Sequence, residues 1–230
     1  MADKENKKSG KPSAEEIAAR KAAKARKADV ADVGADAVDT GPAPTPRLYT
    51  AYKDRIAPAL KEKLALKNNF AVPRLEKIVN SMGLGKAMTG GEKVKMETAE
   101  RELAVIAGQK PVRTKAKKSV SNFKLREGME IGLKVTLRGN RMYEFLDRLI
   151  TLAIPRVKDF RGLDPNGFDK AGNYNFGFNE QTVFPEVDSA AVTFQQGMNI
   201  TVVTTADGPD QGRELLRQFG MPFRDSTTAK

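Results

Sequence analysis

The sequence predicts an α+β fold: an antiparallel sheet with helices packed on one of its faces. Three observations lead there. Glu130–Arg138 (EIGLKVTLR) places Ile131, Leu133, Val135 and Leu137 at alternate positions, the pattern of a half-buried strand. Thr89–Gly108 and Arg141–Ile154 both carry apolar residues at helical spacing. Strands and helices alternate in mixed order rather than as a strict βαβα series, which favours an antiparallel sheet over a doubly wound parallel one.

Taken in order, residues 1–46 read as a disordered tail. Ser13–Ala28 (SAEEIAARKAAKARKA) has helix-forming composition, but its apolar face is almost all Ala and buries too little to dock on a core. Pro42, Pro44 and Pro46 alternate in the linker that follows, giving a polyproline-like stretch and a domain boundary near Arg47. One α+β domain is expected over 47–230. Leu48–Lys67 has Leu48, Tyr52, Ile56, Leu60 and Leu64 near helical spacing, with Pro58 expected to kink or break the helix. Leu75–Leu84 reads as a short strand ending at Gly83 and Gly85. In the Thr89–Gly108 helix, Val94, Ala99, Leu103, Ile106 and Ala107 are expected on one face, with Gly108 at the C-terminal cap. Pro111–Thr114 is a short strand entering a basic loop. In Arg141–Ile154, Phe145, Leu146, Leu149, Ile150 and Ala153 face inward and Pro155 ends the helix. Arg156–Asn179 is Gly/Asn/Asp-rich and reads as irregular. Thr182–Pro185 and Asn199–Thr205 read as strands, and Pro209–Phe219 as a last helix.

Composition narrows the function. The 230 residues carry a net charge of +11. The first 46 hold nine Lys/Arg against eight Asp/Glu, so nearly all the excess sits on 47–230. A polyanionic partner is expected. The chain has no Cys and no His, which removes zinc sites built on those ligands and Ser-His-Asp or Cys-His nucleophiles. Its N-terminus lacks the apolar core of a secretory signal, and no run of apolar residues is long enough to span a bilayer. A cytoplasmic protein is expected, with no cofactor, no metal and no catalytic residue.

Gln109–Arg126 (QKPVRTKAKKSVSNFKLR) concentrates the charge. Lys110, Arg113, Lys115, Lys117, Lys118, Lys124 and Arg126 stand there with no acidic residue, an absence that extends back to Leu103. Cations that meet phosphates release condensed counterions, and that release dominates non-specific nucleic-acid affinity. Ser119, Ser121, Asn122 and Phe123 add hydroxyl, amide and one ring for stacking. The plain alternative is a solvated basic surface loop. On the strand that follows, alternation places Gly132, Lys134, Thr136 and Arg138 together on an open face, a candidate RNA platform.

Other motifs carry less. Gly83-Leu84-Gly85-Lys86 fails as a phosphate loop, because Asn80 stands where its first Gly belongs and Ala87 where Ser or Thr should follow Lys86. Glu97/Glu100 and Glu127/Glu130 read as solvated charge. The rings from Phe160 to Phe178 are either base-stacking platforms or, as favoured, anchors of a loop on a small core. Met82, Met88, Met96 and Met142 read as core filling.

Several long blocks then become familiar: VPRLEKIVNSMGLG (72–85), AGQKPVRTKAKKSVSNFKLREG (107–128), IGLKVTLRGNRMYEFLDRLITLAIPRVKDFRGL (131–163), GNYNFG with EQTVFPE (172–186), and NITVVTTA with GRELLRQFGMPFR (199–224). From about Leu48 to Arg224 the chain closely resembles the bacterial family of ribosomal protein five of the large subunit, the universal 5S rRNA-binding protein of the central protuberance. The resemblance implies a curved antiparallel sheet with helices on its convex side. It implies binding of 5S rRNA and a neighbouring 23S rRNA helix, a basic loop directed at P-site tRNA, and a bridge to a small-subunit head protein. Other central-protuberance proteins would be neighbours, and no membrane is involved. By motif position Lys77, Gln109 and Thr136 match residues of the 5S rRNA surface, joined here by Lys134 and Arg138. The family usually has Asn just before the Met-Gly of the first strand; this chain has Ser81 there and Asn80 one place earlier. Either Ser81 makes a shorter hydrogen bond to RNA or the local register differs. A small length difference falls near Gly90-Gly91. Competing readings are a carboxylate-metal nuclease, a peripheral membrane protein, and a generic RNA-binding or RNA-chaperone protein outside the ribosome.

Overall fold

The computed structural model describes residues 44–224 apart from 188, 190 and 191. The expected disorder of 1–46, save its last three residues, and the Ser13–Ala28 helix lie outside the described residues.

Five strands form one open sheet: β1 (Leu75–Gly83), β2 (Val112–Lys115), β3 (Glu130–Leu137), β4 (Tyr174–Phe178) and β5 (Met198–Thr204), in the order β2-β3-β1-β5-β4. Every neighbouring pair is antiparallel. The sheet's period of two sends Ile78, Met82, Leu133, Val135, Leu137, Ile200 and Val202 to one face, where all are buried. Helices α4 (Lys93–Ala107) and α5 (Gly139–Arg148) cover that face and share its core. The antiparallel α+β architecture expected from the sequence is therefore the observed one.

Met96, Ala99, Leu103, Ile106 and Ala107 form the inward stripe of α4, and Gly108 closes the helix in the left-handed region at φ 63°. Val94 departs from expectation: it is 74% exposed. It lies two positions before Met96, more than half a turn around the helix, and so points away from the stripe. The strand ends at Gly83, and a short helix, α3 (Gly85–Thr89), follows. Met82, Met96 and Met142 are buried and Met88 packs against the core, as expected.

The two prolines expected to break or end helices are accommodated by one device. The N-terminal helix runs as α1 (Arg47–Ala51), a π turn (Tyr52–Ile56) and α2 (Ala57–Lys63). Ala57 N–H donates to Tyr52 O, five residues back, immediately before Pro58. A proline ring clashes with the carbonyl four residues earlier, and the wider turn relieves that contact without ending the helix. After α5 a second π turn (Leu149–Ala153) brings Ile154 N–H to Leu149 O immediately before Pro155, and a 3-10 turn carries the chain on to Arg156. Phe145, Leu146, Leu149 and Ala153 are buried and Ile150 is half-buried against the same core. Helix α6 (Pro209–Gln218) is the last helix among the described residues, with Leu215 and Leu216 buried.

Two expectations for the stretch after α5 are corrected. The segment read as irregular contains the edge strand β4. Asn and Gly are depleted in strands, yet Tyr174, Phe176 and Phe178 alternate with Asn175 and Gly177, and Gly177 admits the Asn199 side chain where any Cβ would lie 2.8 Å from its oxygen. Thr182–Pro185, read as a strand, follows the opening of a 3-10 turn (Gln181–Val183). The buried Gln181 side chain holds that turn by donating to Phe194 O at 2.7 Å and accepting from Gln196 N–H at 2.6 Å. The aromatic residues act as anchors: Phe168 meets Tyr174 at 4.5 Å, Tyr174 meets Phe223, and Phe178 meets Phe184.

Candidate nucleic-acid interface

The face of the sheet opposite the helices is built by register. One row runs Val112, Lys134, Ser81, Asn199 and Gly177 across all five strands; the next runs Thr136, Val79, Thr201 and Asn175. Lys134, Asn199 and Val112 are exposed and Ser81, Thr136 and Val79 half-buried, so small polar groups and one cation, interrupted by two valines, line the floor. Thr201 Oγ1 donates to Asn175 Oδ1 at 2.7 Å, which holds the amide in place along that row. Such a surface offers hydroxyl and amide partners to sugar hydroxyls, with few rings or deep pockets for base readout.

Ser81 belongs to this face, and Asn80 does not. Asn80 is fully buried on the helix side, and neither its amide nitrogen nor its oxygen has a hydrogen-bond partner. Lys77 and Arg138 lie at the end of the same face, where Glu76 sits 3.4 Å from the Lys77 amine and 3.5 Å from the Arg138 guanidinium. Both cations keep substantial exposure, and an exposed ion pair of this kind is worth little against a phosphate. Gly132 shares the alternation of Lys134 but is buried. A Cβ there would lie 2.6 Å from Met82 O and 3.2 Å from Thr114 Oγ1. Its lack of a side chain serves strand approach rather than access for a ligand.

The basic segment divides in two. Lys115, Lys117, Lys118, Lys124 and Arg126 project from a hairpin between β2 and β3, all exposed and in no ion pair among the described residues. Its stem is bonded through Ala116 N–H to Met129 O and Gly128 N–H to Ala116 O. Val120 and Leu125 exchange backbone bonds at 3.1 Å, a 3-10 turn spans Ser121–Phe123, and Lys124 turns the chain at φ 52°. Arg113 and Lys110 lie elsewhere. Arg113 alternates with Leu133 toward the helices, where its guanidinium reaches Glu100 at 2.5 Å and Glu130 at 3.1 Å. Those hydrogen bonds raise its already high pKa. Lys110 borders the same groove as Glu97, Glu100 and Arg101. Glu100 and Glu130 are thus partners of a cation rather than merely solvated. Gln109 is exposed just after the α4 cap, off the sheet floor.

Asn175, Asn199 and Thr201 were not among the residues singled out from sequence. Their signal was present in the alternation of NITVVTT, whose outward set is Asn199, Thr201 and Val203. It gains meaning only once β5 is known to lie beside β1. Among the described residues no group of three or more potential metal ligands gathers, and no helix is long and apolar enough to cross a membrane.

Comparison with known proteins identifies the family. Residues 68–126 match the family described as ribosomal protein L5, and residues 130–223 match the C-terminal region of the same ribosomal family. A large ribosomal subunit protein uL5 of Alkaliphilus metalliredigens is 54% identical over 177 residues, covering 77% of this chain and 98% of the relative. The uL5 of Thermosipho africanus is 56% identical over 177 residues, covering 77% and 97%. That of Acidobacterium capsulatum is 54% identical over 180 residues, covering 78% and 98%. With two family matches in tandem and relatives this similar along nearly their whole length, the chain belongs to the ribosomal protein L5 family, and is a structural, non-enzymatic, rRNA-associated constituent of the large ribosomal subunit in the cytoplasm.

Proposed function

We propose that the open sheet face binds 5S rRNA, with Ser81, Lys134 and Thr136 on its floor and Lys77 and Arg138 at one end. The observation that carries this reading is the pair of polar rows that cross the sheet opposite its core, with Asn175, Asn199 and Thr201 as further members. Gln109 contacts the same RNA from outside the floor. A neighbouring 23S rRNA helix meets the sheet rim and the N-terminal helical region. The hairpin cations Lys115, Lys117, Lys118, Lys124 and Arg126 approach P-site tRNA. Lys110 and Arg113, already beside carboxylates, contribute less than the hairpin. Another surface joins a small-subunit head protein, and residues 47–230 act as one domain with 1–46 as an extension. Phosphate contacts supply affinity, and sugar contacts and shape supply selectivity.

Binding of the full chain to 5S rRNA and to a tRNA of similar charge, across a salt series, tests the reading. A preference for 5S rRNA that persists at high salt supports it. Loss of both affinities together would leave only a generic basic surface, as in an RNA chaperone outside the ribosome. Thr136→Glu places a like charge against phosphate and is expected to weaken 5S binding by about tenfold or more. Unchanged affinity at every salt concentration would remove Thr136 from the site.

A further inference from the structure

We propose that the cleft between α3 and the tip of the basic hairpin is a stacking site for one unpaired RNA base. The proposal rests on the reading of the hairpin as an RNA contact and adds the part of the RNA that it grips. Gly85, Lys86 and Thr89 form one wall of the cleft, and Phe123 and Leu125 the other. Phe123 is 69% exposed, whereas the Tyr174, Phe178 and Phe184 rings are buried in the core. A single exposed ring is ordinary on a protein surface; this one also borders a cleft.

The chemistry of the walls selects the occupant. Thr89 Oγ1 donates back to Gly85 O at 3.1 Å and to Lys86 O at 2.9 Å, so its hydrogen is turned onto its own helix rather than into the cleft. The lining is therefore largely apolar, an aromatic ring, an aliphatic side chain and a glycine, with Lys86 as its cation. Its volume of about 250 Å³ is below the roughly 300–1,000 Å³ of pockets that enclose drug-sized ligands. That suits a single flat ring. The rim is cationic: Lys86 lies on one side and Lys124 follows Phe123 on the other, and neither forms an ion pair among the described residues. An aromatic platform flanked by cations that meet the adjoining phosphates is the arrangement by which single-stranded nucleic acid is held without sequence readout. A paired base cannot enter, because its faces are already stacked within the helix. The same cationic rim makes an apolar protein side chain the less favoured occupant.

The tip geometry presents the ring. The Val120–Leu125 bridge closes the hairpin, and Lys124 at φ 52° turns the chain directly after Phe123. The ring is thus carried on a bonded hairpin rather than on a slack loop, which limits the ordering cost of binding.

The test uses the full chain and two RNA probes with equal numbers of phosphates: a hairpin with an unpaired loop, and a fully paired duplex. Affinity is read by fluorescence anisotropy across a salt series. The unaltered protein is expected to prefer the looped probe. Phe123→Ala should weaken binding to that probe by roughly tenfold, abolish the preference and leave the salt slope unchanged. Phe123→Tyr should retain it. Gly85→Leu keeps the ring but fills the cleft, and a Cβ at Gly85 meets nothing within 4 Å, so the fold accommodates it. It too should abolish the preference. Lys117→Ala should weaken both probes equally. Equal affinity of the unaltered protein for the two probes, or a preference that survives Phe123→Ala or Gly85→Leu, overturns the stacking site while leaving the hairpin as a phosphate contact. Binding to neither probe overturns the RNA reading of the hairpin itself.

Discussion

The two faces of the sheet are made from the same strands and obey opposite rules. Under the helices, Ile78, Met82, Val135, Ile200 and Val202 are excluded from water and interlock with α4 and α5. On the open side, Ser81, Lys134, Thr136, Asn199 and Thr201 are small or cationic, and their hydrogen-bonding capacity is largely left for a partner. Adjacent residues such as Asn80 and Ser81 fall under different rules because one step along a strand reverses the face. Stability and recognition are thereby separated by parity, and each can be perturbed without the other. Asn80 breaks that separation: it is a polar side chain on the apolar face with no partner for either amide atom.

The covered face should show the largest effect. Phe145 is fully buried and stacks on Phe184 at 5.9 Å. Phe145→Ala should destabilise the fold by about 3–5 kcal/mol, read as a lowered denaturant midpoint. A loss below about 1 kcal/mol would mean the core collapses around the cavity and the two faces are less distinct than their burial implies. Next in size, Asn80→Leu should raise stability by about 1–3 kcal/mol, because an unpaired buried amide is replaced by an apolar group of similar volume. RNA affinity should not change, since the side chain never reaches the open face. A lowered midpoint would reveal an internal partner for the amide. The smallest effect separates the two halves of the basic segment. Lys117→Ala should reduce the salt slope of RNA binding by about one counterion. Arg113→Ala should leave that slope intact and alter stability by less than about 1 kcal/mol, as expected for a partly exposed ion pair. Equal slopes for both variants would return Arg113 to the RNA surface.

Much of the architecture was legible in the residues. Ile131 to Leu137 announced β3, the stripe of Ala99, Leu103, Ile106 and Ala107 announced α4 although its first expected member, Val94, points outward, and the alternation around Thr136 identified the open face. The reading faltered where local rules conflict. Asn175 and Gly177 disguised β4, because poor strand formers are tolerated at an edge where Gly177 admits the Asn199 side chain. Thr182–Pro185 resembled a strand in composition, but the hydrogen bonds of Gln181 to Phe194 and Gln196 impose a turn. Pro58 was expected to kink or break its helix, yet a π turn before it lets the helical path continue, whereas the helix before Pro155 ends one residue after it, at Arg156.

The amino-acid order by itself determined the strand parity, the helix stripes, the basic segment and the family resemblance. These depend on periods of 2 and 3.6 residues or on contiguous blocks, and both are local. Tertiary structure alone decided which cations stay free. Arg113 and Lys117 are equivalent in a charge count, but Arg113 meets Glu100 and Glu130, 13 and 17 residues away, while Lys117 meets no carboxylate among the described residues. It also decided that Thr201 and Asn175, 26 residues apart, share one floor. Electrostatic pairing and cross-strand contact act through space, so no window along the chain contains them.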